Sequence, residues 1–336
     1  MAAERGIHPA MTAITDLPPE VLERIFLFLS SDIELLRSLS EVCSQFLAVV
    51  AKVPVSVHIP LKEDDLAWLR SYRVPVRSLV NCEIAAYVSD QIFSLNLSRL
   101  RVAKLVGYDY QSKKCEVTPQ YWKTVCFICH KARDSLRRFD LNVDLSRGKI
   151  SYRFAEILTK FQNLRSLSIH FSAHIELNQR ILNTKDSQIL IDTLLSNLPN
   201  LKTFNIFICP PRTLQVSSRN LQELGIFKSD AIEIRKLYLP SLRKLSLHEN
   251  TVELFRKISA DQESAGANLH KDLLSVIYEG CPNIRTINRV RLGPELSPWP
   301  RLERRLWTRL VNRALVRRYQ LEVEHSQGCG SSHRIL

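Results

Sequence analysis

The sequence is poor in the residues and motifs on which several common enzyme classes depend. It contains only 9 glycines and 2 methionines among 336 residues. So few glycines argue against a doubly wound nucleotide-binding domain, whose phosphate turns need glycine. The sequence has no glycine-rich phosphate loop, G-x-S-x-G elbow or H-E-x-x-H string, and no nucleophile–base pair is recognisable. No apolar run approaches the ~20 residues of a membrane span. We therefore expect a non-catalytic protein without a cofactor, a metal or a membrane span.

The chain contains eight cysteines, at positions 43, 82, 115, 126, 129, 209, 281 and 329. Residues 1–14 lack the apolar core of a secretory signal, and we interpret them as a disordered leader. The thiols are therefore expected to be reduced and mostly buried, in a cytoplasmic or nuclear protein. Cys126-Phe-Ile-Cys129-His130 has the spacing of haem attachment, but that chemistry is typical of exported proteins. A zinc site that adds Cys115 to this string lacks a second C-x-x-C pair, so we predict neither group.

Positive charge is concentrated behind the amino-terminal part of the chain. The formal net charge is +13. Residues 1–60 carry 4 basic and 7 acidic side chains, residues 61–293 carry 35 and 23, and residues 294–336 carry 8 and 4. This division favours two surfaces with different partners. A basic body attracts acidic, phosphorylated or nucleic-acid partners, although a merely solvated basic surface is the simpler interpretation.

The stretch Asp16–Val50 predicts three short helices that carry more apolar surface than they can bury among themselves. Pro18 and Pro19 suit the first turn of a helix, and Ser31 with Glu34 has the spacing of a capping box that would begin the second helix. The first helix carries two adjacent apolar stripes, namely Val21, Ile25 and Phe28, and Leu22, Phe26 and Leu29. Domains below about 40 residues seldom close a core alone. The excess surface therefore packs on the rest of this chain or docks on another protein.

This stretch resembles the F-box, a three-helix module with which substrate receptors of SCF ubiquitin ligases bind a Skp-type adaptor. The resemblance is carried by Leu17-Pro18, Glu20, Val21-Leu22, Ile25, Leu29, Asp32 and Val42-Cys43, in order and without insertion. Phe46 stands where the family usually has tryptophan, and we expect softer adaptor binding from the lost indole N–H. The resemblance implies an F-box at residues 15–60 and adaptor contacts from Leu17, Pro18, Val21, Leu22, Ile25, Phe26, Leu29, Leu36, Val42, Cys43 and Phe46. Some of these must instead hold the helices together, and the sequence does not separate them.

A second pattern recurs behind these helices. Leu242–Asn250 fits LxxLxLxxN at every position, and related copies begin at residues 76, 100, 136, 164, 201, 221 and 284. Turn-forming residues precede most copies, for example Pro199-Asn200 and Pro282-Asn283. Strands separated by helical stretches at intervals of 20 to 40 residues are similar to a leucine-rich-repeat array. We predict an α/β protein in which residues 61–293 form a solenoid of about eight irregular repeats. Parallel strands would line its concave face and helices its convex face.

The last segment, residues 294–336, is predicted to contain a proline-rich linker, a basic amphipathic helix and a disordered tail. Leu302, Leu306, Leu310 and Ala314 lie at helical spacing and are surrounded by arginines. Such a helix either caps the open end of the solenoid or binds an anionic membrane, an acidic groove or RNA. We favour the capping role.

The two resemblances together imply a substrate-recognition subunit of an SCF-type ubiquitin ligase. The F-box would bind the adaptor and, through it, a cullin–RING scaffold, while the repeats would present an unidentified protein target, acidic or phosphorylated in character. Target contacts are predicted on the concave face, from Arg138, Asn142, His170, Asn205, Phe207, Phe227, Lys244 and His248. Phe207 and Phe227 fall at the same position of consecutive copies and suggest an apolar hot spot. The alternatives are a basic solenoid that binds nucleic acid and a non-degradative scaffold.

Overall fold

The structure is a computed structural model that describes residues 14–80, 86–105, 119–144, 156–172, 184–207, 213–227, 233–248, 268–288 and 290–292, with seven positions between 307 and 317. The helices are α1 (Pro19–Phe28), α2 (Ile33–Ser40), α3 (Ser44–Val50), α4 (Glu63–Ser71), α5 (Ala86–Ser94), α6 (Pro119–Lys131), α7 (Thr184–Asn197) and α8 (Asn268–Gly280). The strands are β1 (Val55–His58), β2 (Val76–Val80), β3 (Val102–Leu105), β4 (Arg138–Asp144), β5 (Ser166–Ser172), β6 (Thr203–Phe207), β7 (Thr213–Ser217), β8 (Glu223–Phe227), β9 (Glu233–Tyr238), β10 (Lys244–His248), β11 (Thr286–Ile287) and β12 (Val290–Arg291).

Ten of these strands form one sheet in the order β1-β2-β3-β4-β5-β6-β8-β10-β11-β12. All neighbours are parallel except β11 and β12. The eight predicted copies of the repeat supply the eight consecutive strands from β2 to β11, so the predicted parallel sheet is confirmed. The last copy is short because the chain reverses at Asn288, which has a φ of 45°, and β12 returns antiparallel to β11.

Each copy places its leucine-type positions in the core. In the copy that contains β4, Leu136, Phe139 and Leu141 are fully buried, and the paired strands β5 and β3 bring equivalent residues beside them. The alternation follows from the two-residue period of a strand, which sends every second side chain to the same face. Burial of the repeated apolar positions therefore explains why neighbouring copies stack in register.

Asparagines that directly precede four of the copies link each unit to an earlier one. The side-chain amides of Asn163, Asn200, Asn220 and Asn283 donate to the backbone carbonyls of Asp134, Gln162, Pro199 and Pro240, at 3.0, 2.8, 2.8 and 2.7 Å. These amides satisfy carbonyls at the turns, which would otherwise lack a partner. The turn signals in the sequence thus also serve as clamps between units.

The connections between the strands of the large sheet differ in part from the prediction that all of them are helical. Helices connect several strands, but β7 and β9 form a second, two-stranded parallel sheet in the connections around β8. The copies at 201, 221 and 242 are only 20 or 21 residues apart, which leaves too little chain for a helix after the strand and its turns. The amide of Gln188 on α7 closes one edge of this small sheet by pairing with Gln215, at 2.7 and 3.0 Å.

The other edge of the small sheet lies against α8 at Gly280. The backbone N–H of Leu239 donates to the carbonyl of Gly280 at 2.8 Å. A Cβ added at Gly280 would lie 1.8 Å from the carbonyl oxygen of Leu237. Glycine is therefore required here by close backbone approach rather than by its conformational freedom.

The carboxyl-terminal helical residues turn a different face inward from the predicted one. Trp307, Val311 and Leu315 are buried, and the rings of Trp307 and Tyr278 lie 5.4 Å apart. Leu310 and Ala314 are half-buried, whereas Arg313 and Arg317 are exposed. Leu302 and Leu306 lie outside the described residues. Trp307 decides the orientation of these residues because its large ring packs on α8. Helix α8 directly precedes the last copy of the repeat, and the capping helix was expected at that end of the array.

Candidate functional site

The three amino-terminal helices are ordered by local caps. The carboxylate of Asp32 accepts the backbone N–H of Leu35 at 2.9 Å and begins α2. Asp32 therefore replaces the predicted pair of Ser31 and Glu34, and Glu34 instead forms an exposed ion pair with Lys62 at 2.9 Å. The thiol of Cys43 caps α3 through the N–H of Phe46 at 3.5 Å. These caps account for three helices within so short a stretch.

The interior of this helical trio contains four of the predicted adaptor residues. Leu22, Phe26, Leu36 and Phe46 are 0 to 2% exposed. The rings of Phe26 and Phe46 meet edge to face at 5.3 Å, with an interplanar angle of 78°. Phe46 thus serves as the central packing residue of the trio. The side-chain amide of Gln45 also donates to the carbonyl of Leu17 at 3.2 Å and fixes the Leu-Pro turn on α3.

Another set of apolar side chains of the trio is open to solvent. The exposed fractions are 87% for Phe28, 60% for Val42, 52% for Ile14, and 40% for Val21 and Leu35. We call these five residues the apolar flank. Of the predicted adaptor residues, Val21 and Val42 belong to it, Pro18 is also exposed, and Leu17, Ile25, Leu29 and Cys43 are half-buried. Phe28, Leu35 and Ile14 were not among the predicted contacts. The stripe Val21, Ile25 and Phe28 was the signal for Phe28, because residues seven apart share a helix face.

The rest of the chain packs on the trio through α2. Arg37 Nη1 and Asp65 Oδ1 on α4 form an ion pair at 2.9 Å, although they are not aligned as a hydrogen bond. The indole N–H of Trp68 donates to the hydroxyl of Ser40 at 3.1 Å, and both side chains are buried. The N–H of Ser56 in β1 donates to the carbonyl of Ser30 at 2.7 Å. The ion pair and the two hydrogen bonds join the trio to α4 and β1 and favour a single orientation of the trio on the sheet.

A row of stacked rings lies on the face of the large sheet opposite the buried positions of the repeat, such as Phe204 and Ile206 on β6; we call this the inner face. His170, Phe207 and Phe227 occupy equivalent positions of β5, β6 and β8. The centroids of His170 and Phe207 are 4.1 Å apart, and those of Phe207 and Phe227 are 4.4 Å apart, with interplanar angles of 7° and 10°. We call this arrangement the ring stack. The predicted phenylalanine pair therefore exists, and a histidine extends it.

The ring stack depends on Gly225, which lies two residues before Phe227. A Cβ at Gly225 would lie 2.4 Å from the ring of Phe227 and 2.4 Å from Oδ1 of Asn205. The missing side chain leaves the space that the ring occupies. All three stacked side chains are half-buried. The neighbouring rings cover both faces of Phe207, so the stack offers a narrow apolar strip.

Polar side chains near the ring stack are largely paired with one another. Arg138 donates to Asp140 from Nε at 3.3 and 3.2 Å and from Nη2 at 3.0 Å, and Asp140 is buried. Lys244 pairs with Glu223 at 3.7 Å, and Asn205 donates to Ser168 at 3.3 Å. The predicted target residues Arg138 and Lys244 therefore already have acidic partners. Asn142 and His248 share the row of His170 by register, but their side chains lie outside the described part of the chain.

Burial shifts the pKa values of His170 and of three cysteines. Burial lowers the pKa of His170 below its usual value, and the carboxylate of Asp140 opposes this shift in part. Burial raises the pKa of the Cys126 and Cys129 thiols and raises that of Cys281 to about 12. Thiols with raised pKa are poor nucleophiles and poor metal ligands. Within the described residues, no group of three or more histidines, cysteines and carboxylates could hold a metal ion, and no helix is long and apolar enough to cross a membrane.

Comparison with known proteins identifies the helical trio. The model of the F-box-like family matches residues 14–53. This range includes the whole apolar flank and all the caps described above. No curated protein matches the chain. The chain thus carries an F-box-like domain, which suggests a role in protein–protein interaction with a Skp-type partner, and F-box domains are typically found in non-catalytic adaptor subunits.

Proposed function

We propose that this protein is the substrate-recognition subunit of an SCF-type ubiquitin ligase. Its F-box-like domain binds a Skp-type adaptor, and the sheet behind it is a leucine-rich-repeat solenoid that presents a target protein. The observation that carries the proposal is the apolar flank, which lies within the residues that match the F-box-like family. The protein then acts in the cytoplasm or the nucleus, where ubiquitin ligases of this kind work.

The apolar flank supports an adaptor as the partner. Phe28, Val42 and Val21 expose large apolar side chains on a domain whose interior is already filled by Leu22 and Phe26. Rearrangement within the trio would therefore not bury them. Several large apolar side chains exposed on one small domain, one of them aromatic, are typical of a protein interface. A partner that offers its own helices would cover the exposed ring of Phe28 and the turn at Val42.

The connection between the two parts supports a presenting role. The ion pair of Arg37 with Asp65 and the contact of Trp68 with Ser40 join the F-box-like domain to the first helix of the sheet region. A rigid connection would hold a bound target at a defined distance from the ubiquitin-loaded enzyme. Proximity of this kind contributes about 7–11 kcal/mol in well-oriented reactions. The chain itself needs no catalytic group for this role.

The repeat architecture also supports the proposal. Eight copies of one sequence pattern form eight adjacent parallel strands, and asparagine clamps join successive turns. Units that bury their faces only against neighbours are the defining property of a solenoid. The ring stack of His170, Phe207 and Phe227 supplies the inner face with an apolar strip suited to a side chain of the target.

Adaptor binding is tested with a double variant at exposed positions. Val21→Asp with Val42→Asp should abolish co-purification of the Skp-type adaptor, because two carboxylates would be buried without partners. Tyr238→Asp is the control. Tyr238 is 49% exposed, between Val21 at 40% and Val42 at 60%, but it lies on β9, remote in sequence from the F-box-like domain. A folded double variant that still captures the adaptor would contradict the assignment.

Target recognition is tested by affinity capture from cells with the proteasome blocked. Phe207→Ala with Phe227→Ala should release the captured target, while adaptor binding stays unchanged. Retention of every captured protein by this variant would reject the ring stack as a contact. Adaptor binding combined with unchanged turnover of all captured proteins would favour a non-degradative scaffold instead.

A further inference from the structure

The amino-terminal edge of the large sheet carries a basic residue at the start of seven of its ten strands. When the strand register is extended by one residue, Arg77 of β2 lies beside a line of basic residues that directly precede β3, β4, β5 and β6, namely Arg101, Arg137, Arg165 and Lys202. Gln222 interrupts the line just before β8, and Arg243 and Arg285 continue it just before β10 and β11. We call these seven basic residues the cationic row. None of them is among the predicted target contacts.

The backbone holds the cationic row in a fixed line. The N–H of Arg101 donates to the carbonyl of Arg77, Arg137 to Arg101, Arg165 to Arg137 and Lys202 to Arg165, each at 2.8 Å. The same 2.8 Å links join Lys202 to Arg285 through Gln222 and Arg243. Neighbouring strands lie about 4.8 Å apart, so the first five cations span roughly 19 Å. The positions of the charges are therefore set by the sheet before any partner binds.

The charges of the row are largely uncompensated. Arg77, Arg101, Arg165, Lys202, Arg243 and Arg285 are exposed, and no carboxylate of the described residues forms an ion pair with any of them. Arg137 is half-buried and donates to the carbonyl of Asn163 at 3.2 Å. By contrast, Arg138 and Lys244, one residue further along their strands, have acidic partners. The positive potential is thus concentrated along this edge rather than spread over the inner face.

We propose that the cationic row is the binding track for an extended acidic segment of a polypeptide partner. An extended chain advances about 3.3 Å per residue, so a segment of roughly six residues spans the five consecutive cations. Its acidic side chains on one side recur at about 6.6 Å, a spacing that long, flexible arginine and lysine side chains can follow. The planar guanidinium groups bind carboxylates or phosphates in pairs of parallel hydrogen bonds.

The ring stack argues for a polypeptide rather than a nucleic acid. Proteins that bind single-stranded nucleic acid combine cations with aromatic faces on which bases stack. Both faces of Phe207 are already covered, by His170 at 4.1 Å and by Phe227 at 4.4 Å. A base cannot enter between rings at these separations. The apolar strip is suited to an aliphatic or aromatic side chain, and the cationic row to acidic residues of the same partner.

This inference rests on the proposed function only in assigning the acidic segment to the ligase target. It is tested with the purified full-length chain and without an adaptor, so its failure is distinguishable from a failure of adaptor binding. The probe is a fluorescein-labelled peptide in which glutamate alternates with serine, and its comparison is an oligouridylate of equal charge. Fluorescence anisotropy at low and at physiological salt measures both affinities.

The variant Arg165→Ser with Lys202→Ser should weaken peptide binding about five- to tenfold at low salt, as expected for two exposed charge contacts. The control Lys123→Ser with Lys236→Ser removes the same charge from α6 and β9, where both side chains are exposed, and should leave binding within about twofold. Thermal unfolding of both variants shows whether the edge is intact.

Three outcomes would overturn the inference. Equal weakening by both variants would indicate a response to net charge alone. Tighter binding of the oligouridylate than of the peptide would assign the row to nucleic acid. Unchanged peptide binding with a lower midpoint of unfolding in the row variant would assign the cations to stability, because helix carboxyl ends also favour nearby positive charge.

Discussion

Phe26 and Phe28 stand two residues apart on α1, and their replacement by alanine should have opposite consequences. Phe26 is 1% exposed and packs on Phe46, whereas Phe28 is 87% exposed. Phe26→Ala leaves a cavity inside the helical trio and should reduce the free energy of unfolding by about 3–5 kcal/mol. Phe28→Ala removes a ring that is already in water and should change it by less than about 0.5 kcal/mol.

The effect of Phe28→Ala on adaptor binding follows from the area that a partner can cover. A phenylalanine ring offers about 150–200 Å², most of it exposed here, so complete coverage would contribute at most about 4 kcal/mol at 25 cal/mol per Å². Binding costs and the retained Cβ reduce this figure, and we expect about 2 kcal/mol, or roughly a 30-fold loss of affinity.

The assay combines urea unfolding of the full chain with calorimetric titration of a purified Skp-type adaptor. Phe26→Ala should lower the urea midpoint, whereas Phe28→Ala should keep the midpoint and raise the dissociation constant. A folded Phe28→Ala protein with wild-type adaptor affinity would refute the assignment of the apolar flank. An unchanged midpoint for Phe26→Ala would refute the packing of the trio.

Three further predictions concern the inner face and its connection to the trio. Gly225→Ala adds a Cβ 2.4 Å from the stacked ring two residues later; it should cost about 1–3 kcal/mol in urea unfolding and reduce target capture, and unchanged capture would contradict a role for the stack. Asp65→Asn removes the closer charge partner of Arg37, whose side chain is only 23% exposed, and leaves it the exposed carboxylate of Asp64 at 3.9 Å. Thermal unfolding should reveal a loss of about 1–3 kcal/mol, and an unchanged midpoint would show that the ion pair with Asp65 contributes nothing. The pKa of His170 in the folded protein lies below its usual 6.5. As the pH falls below 6.5, the unfolded chain therefore binds more protons at this residue than the folded one, and the free energy of unfolding declines until the pH reaches the folded pKa. His170→Gln should flatten this decline, and an unaltered dependence of stability on pH would exclude His170 as its cause.

Local periodicity predicted the elements of this fold well. The LxxLxL spacing identified the strands of all eight copies because apolar residues at a two-residue period face one side of a strand wherever it lies. Helices α7 and α8 lie between copies of the repeat, where helical stretches were predicted. Strands β7 and β9 were beyond this reasoning, since strands of five and six residues outside the repeated pattern have no distinctive signal.

The candidate sites were predicted less completely because they depend on contacts between distant residues. The two stripes on α1 were recognisable, but only packing against Phe46 decided that Leu22 and Phe26 turn inward and Phe28 outward. Arg138 was expected to contact a target, yet Asp140 takes its guanidinium. A sequence does not reveal which of two nearby polar groups will be buried and therefore require a partner.

The amino-acid sequence by itself determined the eight copies that become neighbouring strands and the apolar excess of the first three helices, because both follow from residue periods along a chain. The alignment of the cationic row depended on the sheet register, since its residues recur at irregular intervals in the sequence. Tertiary structure alone decided which apolar residues remain in solvent, that His170 joins Phe207 and Phe227 in one stack, and that Trp307 turns the last helix onto α8. These features arise from packing between segments that are far apart in the chain, where shape and burial select among faces that the local pattern leaves equivalent.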